Sequence, residues 1–197
     1  MPSSPPSFLG AIRARGETLF RVWAPQARAV EVVFEESQES ALPLQRDRDG
    51  YFTGATSARV SLYKYGVDGT GPWPDPCSRF QPQGVHGASL VVDPTAFKWN
   101  DSQWRGVRLH GQVIYELHIG TFTPEGTFDA AADKLPYLRE LGITMIEVMP
   151  VAECPGRWNW GYDGVQLFAP YHGYGDPHAL RRQIGRASCR ERVFLTV

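Results

Sequence analysis

The first half of the chain alternates short apolar runs with turn-forming residues. The runs are rich in residues that favour β-strands, and they lie at residues 19–23, 30–34, 51–53 and 61–67. Asp and Gly cluster between them, as in tight turns, at residues 47–50 and 68–71. Several short strands at this spacing are typical of a small β-sandwich. We therefore predict that residues 1–92 form a β-sandwich.

A proline-rich stretch and a linker follow the predicted sandwich. Residues 72–76 contain three prolines, which lack the amide that a central strand donates, so this stretch is not a central strand. We assign residues 93–111 to a linker. Aromatic residues here and nearby either pack the two parts of the chain together or stack on sugars; they are Trp73, Phe80, Phe97, Trp99 and Trp104.

The second half of the chain predicts a strand, a helix and a second strand. Apolar strand-like runs lie at residues 112–118 and 143–149. Between them, apolar residues recur at helical spacing after Thr127, a plausible N-cap, and the stripe runs as far as Leu141. Gly142 suits the end of the helix, and Pro136 predicts a kink or a restart within it. This order is the repeat of a parallel α/β sheet or barrel.

Composition and charge exclude several classes of function. The net charge of -1 gives no basic surface for nucleic acid or an anionic membrane, and no apolar run approaches the length of a membrane span. The first residues lack a secretion signal, so we expect a cytoplasmic protein. The three cysteines have no metal-ligand spacing, so reduced thiols are expected rather than a disulfide or a metal site. We predict no cofactor.

Five segments of the second half carry a family resemblance. Residues 115–128, 147–151, 160–165, 168–171 and 174–177 resemble the maltooligosyltrehalose trehalohydrolases, glycoside hydrolases of the α-amylase superfamily. Residues 21–25 resemble the start of the immunoglobulin-like module that precedes many barrels of this superfamily and that includes carbohydrate-binding members. The resemblance implies a multi-domain fold, with an immunoglobulin-like β-sandwich followed by the first two βα units of a (β/α)8 barrel at residues 112–183.

The same resemblance implies a function and a partner. The family releases trehalose from maltooligosyltrehalose by hydrolysing an α-1,4-glucosidic bond, so the expected partner is maltooligosyltrehalose or a related α-glucan. The alternatives are an α-1,4-glucan branching or debranching enzyme, and a carbohydrate-binding module without catalytic activity. We expect the chain to be the amino-terminal fragment of a longer protein.

The candidate substrate-binding residues lie in the long loop after the second strand. By resemblance, Tyr162 stacks under the sugar at the cleavage point. Its neighbour Asp163 is placed to accept hydrogen bonds from sugar hydroxyls, and Trp160 either stacks or wedges the loop. Glu116 and Glu147 lie on the predicted strands and are interpreted as structural.

No catalytic residue is assigned. Retaining hydrolysis takes two carboxyls about 5 Å apart. The superfamily places them on its fourth and fifth barrel strands, and the chain also lacks its Asp-x-x-x-Asn-His segment. We therefore expect the polypeptide to be inactive as a hydrolase.

The last residues interrupt the resemblance. Residues 184–193 read as the translation of a sequencing-library adapter, so residues 184–197 are expected to be a non-native tail; the alternative is a natural basic end of a helix. Without a third strand, we expect an unpaired edge on the second strand, with Val113, Ile114, Ile146 and Val148 open to water. We also expect no substrate-shaped pocket around Tyr162.

Overall fold

A computed structural model describes residues 8–35, 41–100, 102, 104–188 and 194–196. The chain divides into two compact units, Met1–Pro94 and Thr95–Val197, here called the first and the second unit. The sequence-based boundaries at residues 92, 111 and 183 stay predictions.

The first unit consists of two antiparallel sheets. Its strands are β1 (Gly10–Ala14), β2 (Glu17–Trp23), β3 (Val30–Phe34), β4 (Leu42–Pro43), β5 (Gln45–Arg46), β6 (Tyr51–Thr56), β7 (Leu62–Val67), β8 (Thr70–Trp73) and β9 (Ser89–Leu90). One sheet has the order β1-β2-β6-β5, and the other has the order β4-β3-β7-β8 with β9 also paired to β7. The predicted strands are confirmed, and the proline-rich stretch contributes only an edge strand, β8.

Inward-facing side chains of the two sheets form one core. Phe20 and Val22 of one sheet are buried with Val32 and Tyr63 of the other. The rings of Phe20 and Tyr63 meet edge to face with centroids 5.0 Å apart. Fully burying an apolar side chain of this size contributes roughly 1.5–3 kcal/mol, so these contacts hold the sheets face to face. The predicted β-sandwich is confirmed.

A buried polar network fixes the irregular segment that precedes β9. The Tyr63 hydroxyl donates to the Asp75 carboxylate at 2.5 Å, and the Cys77 amide donates to the same group at 2.7 Å. Asp75 donates its own amide to Ser89 Oγ at 3.0 Å, and the Ser89 hydroxyl donates to Gln81 Oε1 at 2.7 Å. Burial raises the pKa of the Asp75 carboxyl, while the donation from Tyr63 opposes the rise.

The second unit contains a parallel strand pair connected by helices. Its elements are β10 (Ile114–Leu117), α1 (Ile119–Phe122), α2 (Phe128–Asp133), α3 (Leu135–Glu140), β11 (Met145–Val148), β12 (Ala152–Glu153), β13 (Gln166–Pro170), α4 (Pro177–Arg186) and β14 (Phe194–Thr196). Strands β10 and β11 pair in parallel from Ile114 with Met145 to Leu117 with Val148, so the predicted strand–helix–strand order is confirmed.

The helical connection follows the sequence signals closely. Thr127 Oγ1 accepts a hydrogen bond from the Ala130 amide at 3.2 Å, which caps α2. The helix stops at Lys134 and restarts as α3 with Pro136 in its first turn, which confirms the predicted restart. Gly142 ends the connection with a φ of 92°, a left-handed conformation that favours glycine. Leu141 is 61% exposed, so its assignment to the apolar stripe is wrong; the turn at Gly142 places it outside.

The helices cover one face of the parallel pair. Leu117, Ile146 and Val148 are buried with Phe128 and Leu135 in the core of the second unit. The expectation that Ile146 and Val148 lie open to water is therefore wrong, because their side chains point towards the helices. Val113 and Ile114 are exposed as expected. Glu116 and Glu147 pair in register and are also exposed, which agrees with a structural role.

The carboxyl-terminal part adds two elements to this core. Helix α4 is capped by Asp176, whose carboxylate accepts from the Ala179 amide at 2.7 Å, and it continues to Arg186. The Arg182 guanidinium pairs with Asp129 at 2.7 Å. Strand β14 pairs in parallel with β11, so the expected unpaired edge is wrong. The origin of residues 184–197 stays a prediction, and Cys189 lies outside the described residues.

The described residues contain neither a membrane-spanning helix nor a cluster of metal ligands. No helix in this part of the chain has the length and apolar character of a membrane span. No group of three or more His, Cys, Asp or Glu within it is arranged to hold a metal ion. Cys77 and Cys154 are free thiols, as predicted.

Candidate functional site

A pocket of about 640 Å³ opens at the carboxyl end of β10. Its walls come from the turn after β10, from the loop between β12 and β13, and from the 3-10 turn His172–Tyr174. The lining combines aromatic faces with hydrogen-bonding groups; it includes His118, Thr121, Glu125, Arg157, Trp158, Asn159, Trp160, Tyr171 and Tyr174. This mixture suits a polar ligand with apolar faces.

The loop between β12 and β13, here called the aromatic loop (residues 154–165), is anchored at its base by a buried carboxylate. Glu153 is fully buried. Its carboxylate accepts from the Cys154 amide at 3.1 Å and from the His172 amide at 2.9 Å, and His172 Nδ1 lies 2.9 Å away. These partners compensate the cost of burying the group. Burial, with the nearby Asp163 and Glu153, raises the pKa of the Cys154 thiol to about 11, so this thiol stays protonated at neutral pH.

A second anchor reaches the aromatic loop from β13. The Tyr171 hydroxyl lies 2.8 Å from the Arg157 carbonyl and 3.0 Å from the Gly156 carbonyl. Burial raises the pKa of the Tyr171 hydroxyl, which keeps it a donor. The loop contains no helix or strand, so side-chain donors such as this one satisfy backbone carbonyls that regular structure would otherwise pair.

The centre of the loop is held through Asn159, which is itself buried. Its side-chain amide donates to the Ala152 carbonyl at 2.9 Å, and its side-chain oxygen accepts from the Gly161 amide at 2.8 Å. Gly161 has a φ of 85°, a left-handed conformation that favours glycine, and a Cβ there would lie in tight contact with Pro150 Cδ at 3.1 Å. Asn159 therefore fixes the backbone between two exposed tryptophans.

The sequence-predicted site residues divide at the rim of the pocket. Trp160 lines the pocket and is 70% exposed. Tyr162 is 84% exposed, and it lies outside the lining together with Asp163, which is also exposed. We expected no substrate-shaped pocket around Tyr162; the pocket described above lies beside Trp160, and Tyr162 is not among its lining residues. Substrate contact by Trp160, Tyr162 and Asp163 stays a prediction.

Sequence reasoning missed several residues of the pocket. Trp158 lines it, and the Arg157 guanidinium lies 4.9 Å from the centre of its ring. Tyr174 belongs to residues 174–177, a segment quoted for its family resemblance but given no role. His118 ends the strand-like run at residues 112–118, and no local pattern around it indicates a function.

The arrangement suits binding better than bond cleavage. Aromatic rings offer faces to the apolar sides of a sugar, while Arg157 and Thr121 offer groups that hydrogen-bond hydroxyls. Among the described residues that line the pocket, Glu125 is the single carboxylate. Retaining hydrolysis takes a pair of carboxyls about 5 Å apart, so this pocket by itself does not hold a catalytic pair.

Comparison with known proteins finds a family model that matches the first unit and a solved structure that matches most of the chain. Residues 8–96 match the family model for carbohydrate-binding module 48, the isoamylase N-terminal domain. The crystal structure of a Salmonella typhimurium protein assigned as an alpha amylase superposes on this chain with a TM-score of 0.88. The two sequences are 40% identical, and the match covers 95% of this chain and 32% of the Salmonella chain. In sequence and fold, the chain is therefore similar to proteins of the α-amylase family.

Curated relatives narrow the class further. The chain is 46% identical to the malto-oligosyltrehalose trehalohydrolase of Saccharolobus solfataricus, over 85% of its own length and 30% of the relative's. It is 49% identical to the malto-oligosyltrehalose trehalohydrolase of Rhizobium sp. (strain M-11), over 88% of its own length and 30% of the relative's. Over most of its length, the chain is therefore similar to malto-oligosyltrehalose trehalohydrolases, and it spans about 30% of their length.

Proposed function

We propose that the whole protein releases trehalose from maltooligosyltrehalose by hydrolysing an α-1,4-glucosidic bond. The observation that carries this proposal is the 46–49% identity to the two trehalohydrolases over most of this chain. The described units supply a carbohydrate-binding module and one wall of the substrate site. The catalytic carboxylates would come from parts of the relatives that this chain does not span.

We propose that the second unit is the beginning of a (β/α)8 barrel. The parallel pairing of β10 with β11, and the helices that connect them, support this interpretation. In such barrels the loops at the carboxyl ends of the strands build the active site. The pocket lies at that end of β10, where a barrel would need its substrate site.

In this proposal the aromatic loop contacts the α-glucan. Trp160 stacks on a glucose ring at the pocket wall, while Arg157 binds its hydroxyls. Tyr162 and Asp163 lie farther out and contact the sugar from the open side of the same loop. The exposure of Trp160 and Tyr162 supports this role, because stacking needs a free ring face.

A second candidate function is glucan binding by the first unit alone. The match to carbohydrate-binding module 48 favours it, and Trp23 and Trp73 are exposed on this unit. The protein would then hold an α-glucan through the sandwich, independently of the aromatic loop. Calorimetric titration with maltoheptaose separates the two functions through three variants. They are Trp160→Ala for the loop, Trp23→Ala for the sandwich, and Tyr137→Ala as an exposed control outside the pocket.

We expect Trp160→Ala to weaken maltoheptaose binding at least about tenfold, which corresponds to about 1.4 kcal/mol, with Tyr137→Ala unchanged. Loss of binding only in Trp23→Ala would favour the module instead. The purified chain should release no trehalose from maltooligosyltrehalose above a buffer blank. Release of trehalose would show that the described chain holds its own catalytic groups. If the whole protein, of the length of its relatives, produced branched glucan instead, a branching enzyme would be favoured.

A further inference from the structure

Two side chains from distant parts of the second unit meet at one carbonyl of the aromatic loop. Tyr174 donates its hydroxyl to the Asn159 carbonyl at 3.1 Å, and His118 Nε2 donates to the same oxygen. The Tyr174 hydroxyl also lies 3.2 Å from His118 Nε2. A backbone carbonyl has two lone pairs, so both donors are accommodated.

The ring of Tyr174 is held by packing contacts in the core of the second unit. Its ring packs edge to face against Phe128, with centroids 5.7 Å apart, and against Tyr171 at 4.9 Å. Phe128 is fully buried, and Tyr174 is nearly so. Burial raises the pKa of the Tyr174 hydroxyl to about 12, so it stays protonated and donates throughout the neutral range.

His118 is held at the same point by its own neighbours. Thr121 Oγ1 lies 3.4 Å from Nδ1, which leaves Nε2 free to carry the proton that Asn159 accepts. A Cβ on Gly120 would lie 3.0 Å from His118 Cε1 and 3.0 Å from Tyr174 Cε1. Gly120 therefore leaves the space in which the two rings approach each other.

The peptide group they hold lies between two tryptophans. Its carbonyl belongs to Asn159, so rotation about this peptide turns Trp160 relative to Trp158. The loop has no helix or strand to resist that rotation. We propose that His118 and Tyr174 are positioning residues, which hold the aromatic loop in the shape that an α-glucan binds. The proposal rests on the proposed function, and it assigns these two residues a role in binding without contact to the reacting atoms.

A loop that already has its bound conformation binds a ligand more tightly, because less conformational entropy is lost on binding. The variants are His118→Ala and Tyr174→Phe, each of which removes one donor to the Asn159 carbonyl. His118→Gln keeps a side-chain N–H donor of similar reach and is the rescue variant. His110→Ala and Tyr137→Phe change exposed residues outside the pocket and are the matched controls.

The first measurement is limited digestion of the full chain by trypsin. The rate of cleavage within the aromatic loop reports how often the loop opens, and no ligand is needed. Arg157 is an exposed cleavage site within the loop, and Arg48 is an exposed site in a turn of the first unit. We expect cleavage after Arg157, relative to Arg48, to become about two- to tenfold faster in both donor variants, as for the loss of one hydrogen bond from a local opening equilibrium. His118→Gln and both controls should match the original chain.

The second measurement is the affinity for maltoheptaose, with the thermal midpoint recorded for each variant. We expect affinity to fall about two- to tenfold in His118→Ala and Tyr174→Phe at an unchanged thermal midpoint, and to return in His118→Gln. This pattern separates positioning from a general loss of structure.

Three results would overturn the inference. One is unchanged cleavage after Arg157 in both donor variants. Another is faster cleavage at Arg157 with a lower thermal midpoint of the second unit, which indicates unfolding of that unit. The third is faster cleavage at Arg157 with unchanged affinity. If the original chain binds no maltoheptaose, the pocket's role in glucan binding fails and the binding part of this inference fails with it, while the cleavage assay still decides whether the two residues hold the loop.

Discussion

The two units bury the faces of their sheets in different ways. In the first unit two sheets cover each other, so Phe20 and Tyr63 meet across the core. In the second unit helices cover a single face of the sheet, so Ile146 is fully buried while Ile114 on the other face is exposed. Both are apolar strand residues, and the element that covers them decides their burial. An apolar strand therefore shows that a face needs covering, without showing what covers it.

Buried polar groups show that a satisfied and an unsatisfied side chain can lie in the same unit. In the first unit the Asp75 carboxylate accepts hydrogen bonds from Tyr63 and Cys77. In the second unit Glu153 is as well satisfied as Asp75. Gln183 of α4 is fully buried, however, and neither end of its side chain has a partner among the described residues. The contrast identifies one position at which the second unit is poorly matched to its surroundings.

The largest expected effect tests whether the two cores are separate. Phe20→Ala should cost about 3–5 kcal/mol, and Ile146→Ala about 2–5 kcal/mol, because each removes a fully buried side chain. Urea titration followed by the far-ultraviolet helix signal reports the second unit, which contains all the described α-helices. We expect Ile146→Ala to shift that signal and Phe20→Ala to leave it in place. Glu17→Ala, at an exposed site on β2, should stay within about 0.5 kcal/mol. Equal shifts of the helix signal would mean one shared core.

A smaller effect is expected at the polar network of the first unit. Asp75→Ala should cost about 1–3 kcal/mol, because it leaves buried donors without an acceptor. Asp75→Asn removes the titration and keeps an acceptor. Since burial raises the pKa of the folded carboxyl above its ordinary value of 3.8, ionising Asp75 costs stability. The advantage of the original chain over Asp75→Asn should be greatest at acidic pH and should be lost as the pH rises through the folded pKa.

Urea midpoints of both proteins, measured from about pH 4 to pH 8, check this sign, because only the difference between them isolates Asp75. An advantage that grows with pH would mean that the folded carboxyl has a lowered pKa. Gln45→Leu, at an exposed site of the same unit, provides the background for replacing a polar side chain.

The smallest expected effect is a gain in stability. Gln183→Leu should stabilise the second unit by about 1 kcal/mol, because an apolar side chain replaces a buried amide that has no described partner. The helix signal in urea reports the change. A loss of stability would show that the Gln183 amide is satisfied.

Local patterns in the sequence were enough to predict the elements. The run at residues 30–34 has the bounds of β3, because strand-forming residues there are bounded by turns. The break between α2 and α3 follows from Pro136, which cannot continue a helix. Leu141 shows the limit of such patterns. The helical spacing continues to Leu141, but α3 ends at Glu140 and the chain turns at Gly142, directly after Leu141.

The candidate site could be predicted only in outline. The long aromatic loop identified the region, and Trp160 lies in the pocket wall. The meeting of His118 with Tyr174 joins residues 56 positions apart, so no local pattern indicates it. The burial of Glu153 likewise depends on His172, which a later turn brings to it. Contacts of this kind are set by the tertiary fold.

The closed base of the aromatic loop has a consequence for engineering. The Val165 amide donates to the Glu153 carbonyl at 2.8 Å, and the Tyr171 amide donates to the Val151 carbonyl at 2.7 Å, so the chain enters and leaves the loop at neighbouring points. A surface loop whose ends meet in this way behaves as a self-contained insert. Segments from other relatives, grafted between Cys154 and Val165, should therefore change the wall of the pocket while the packed core beneath keeps its sequence.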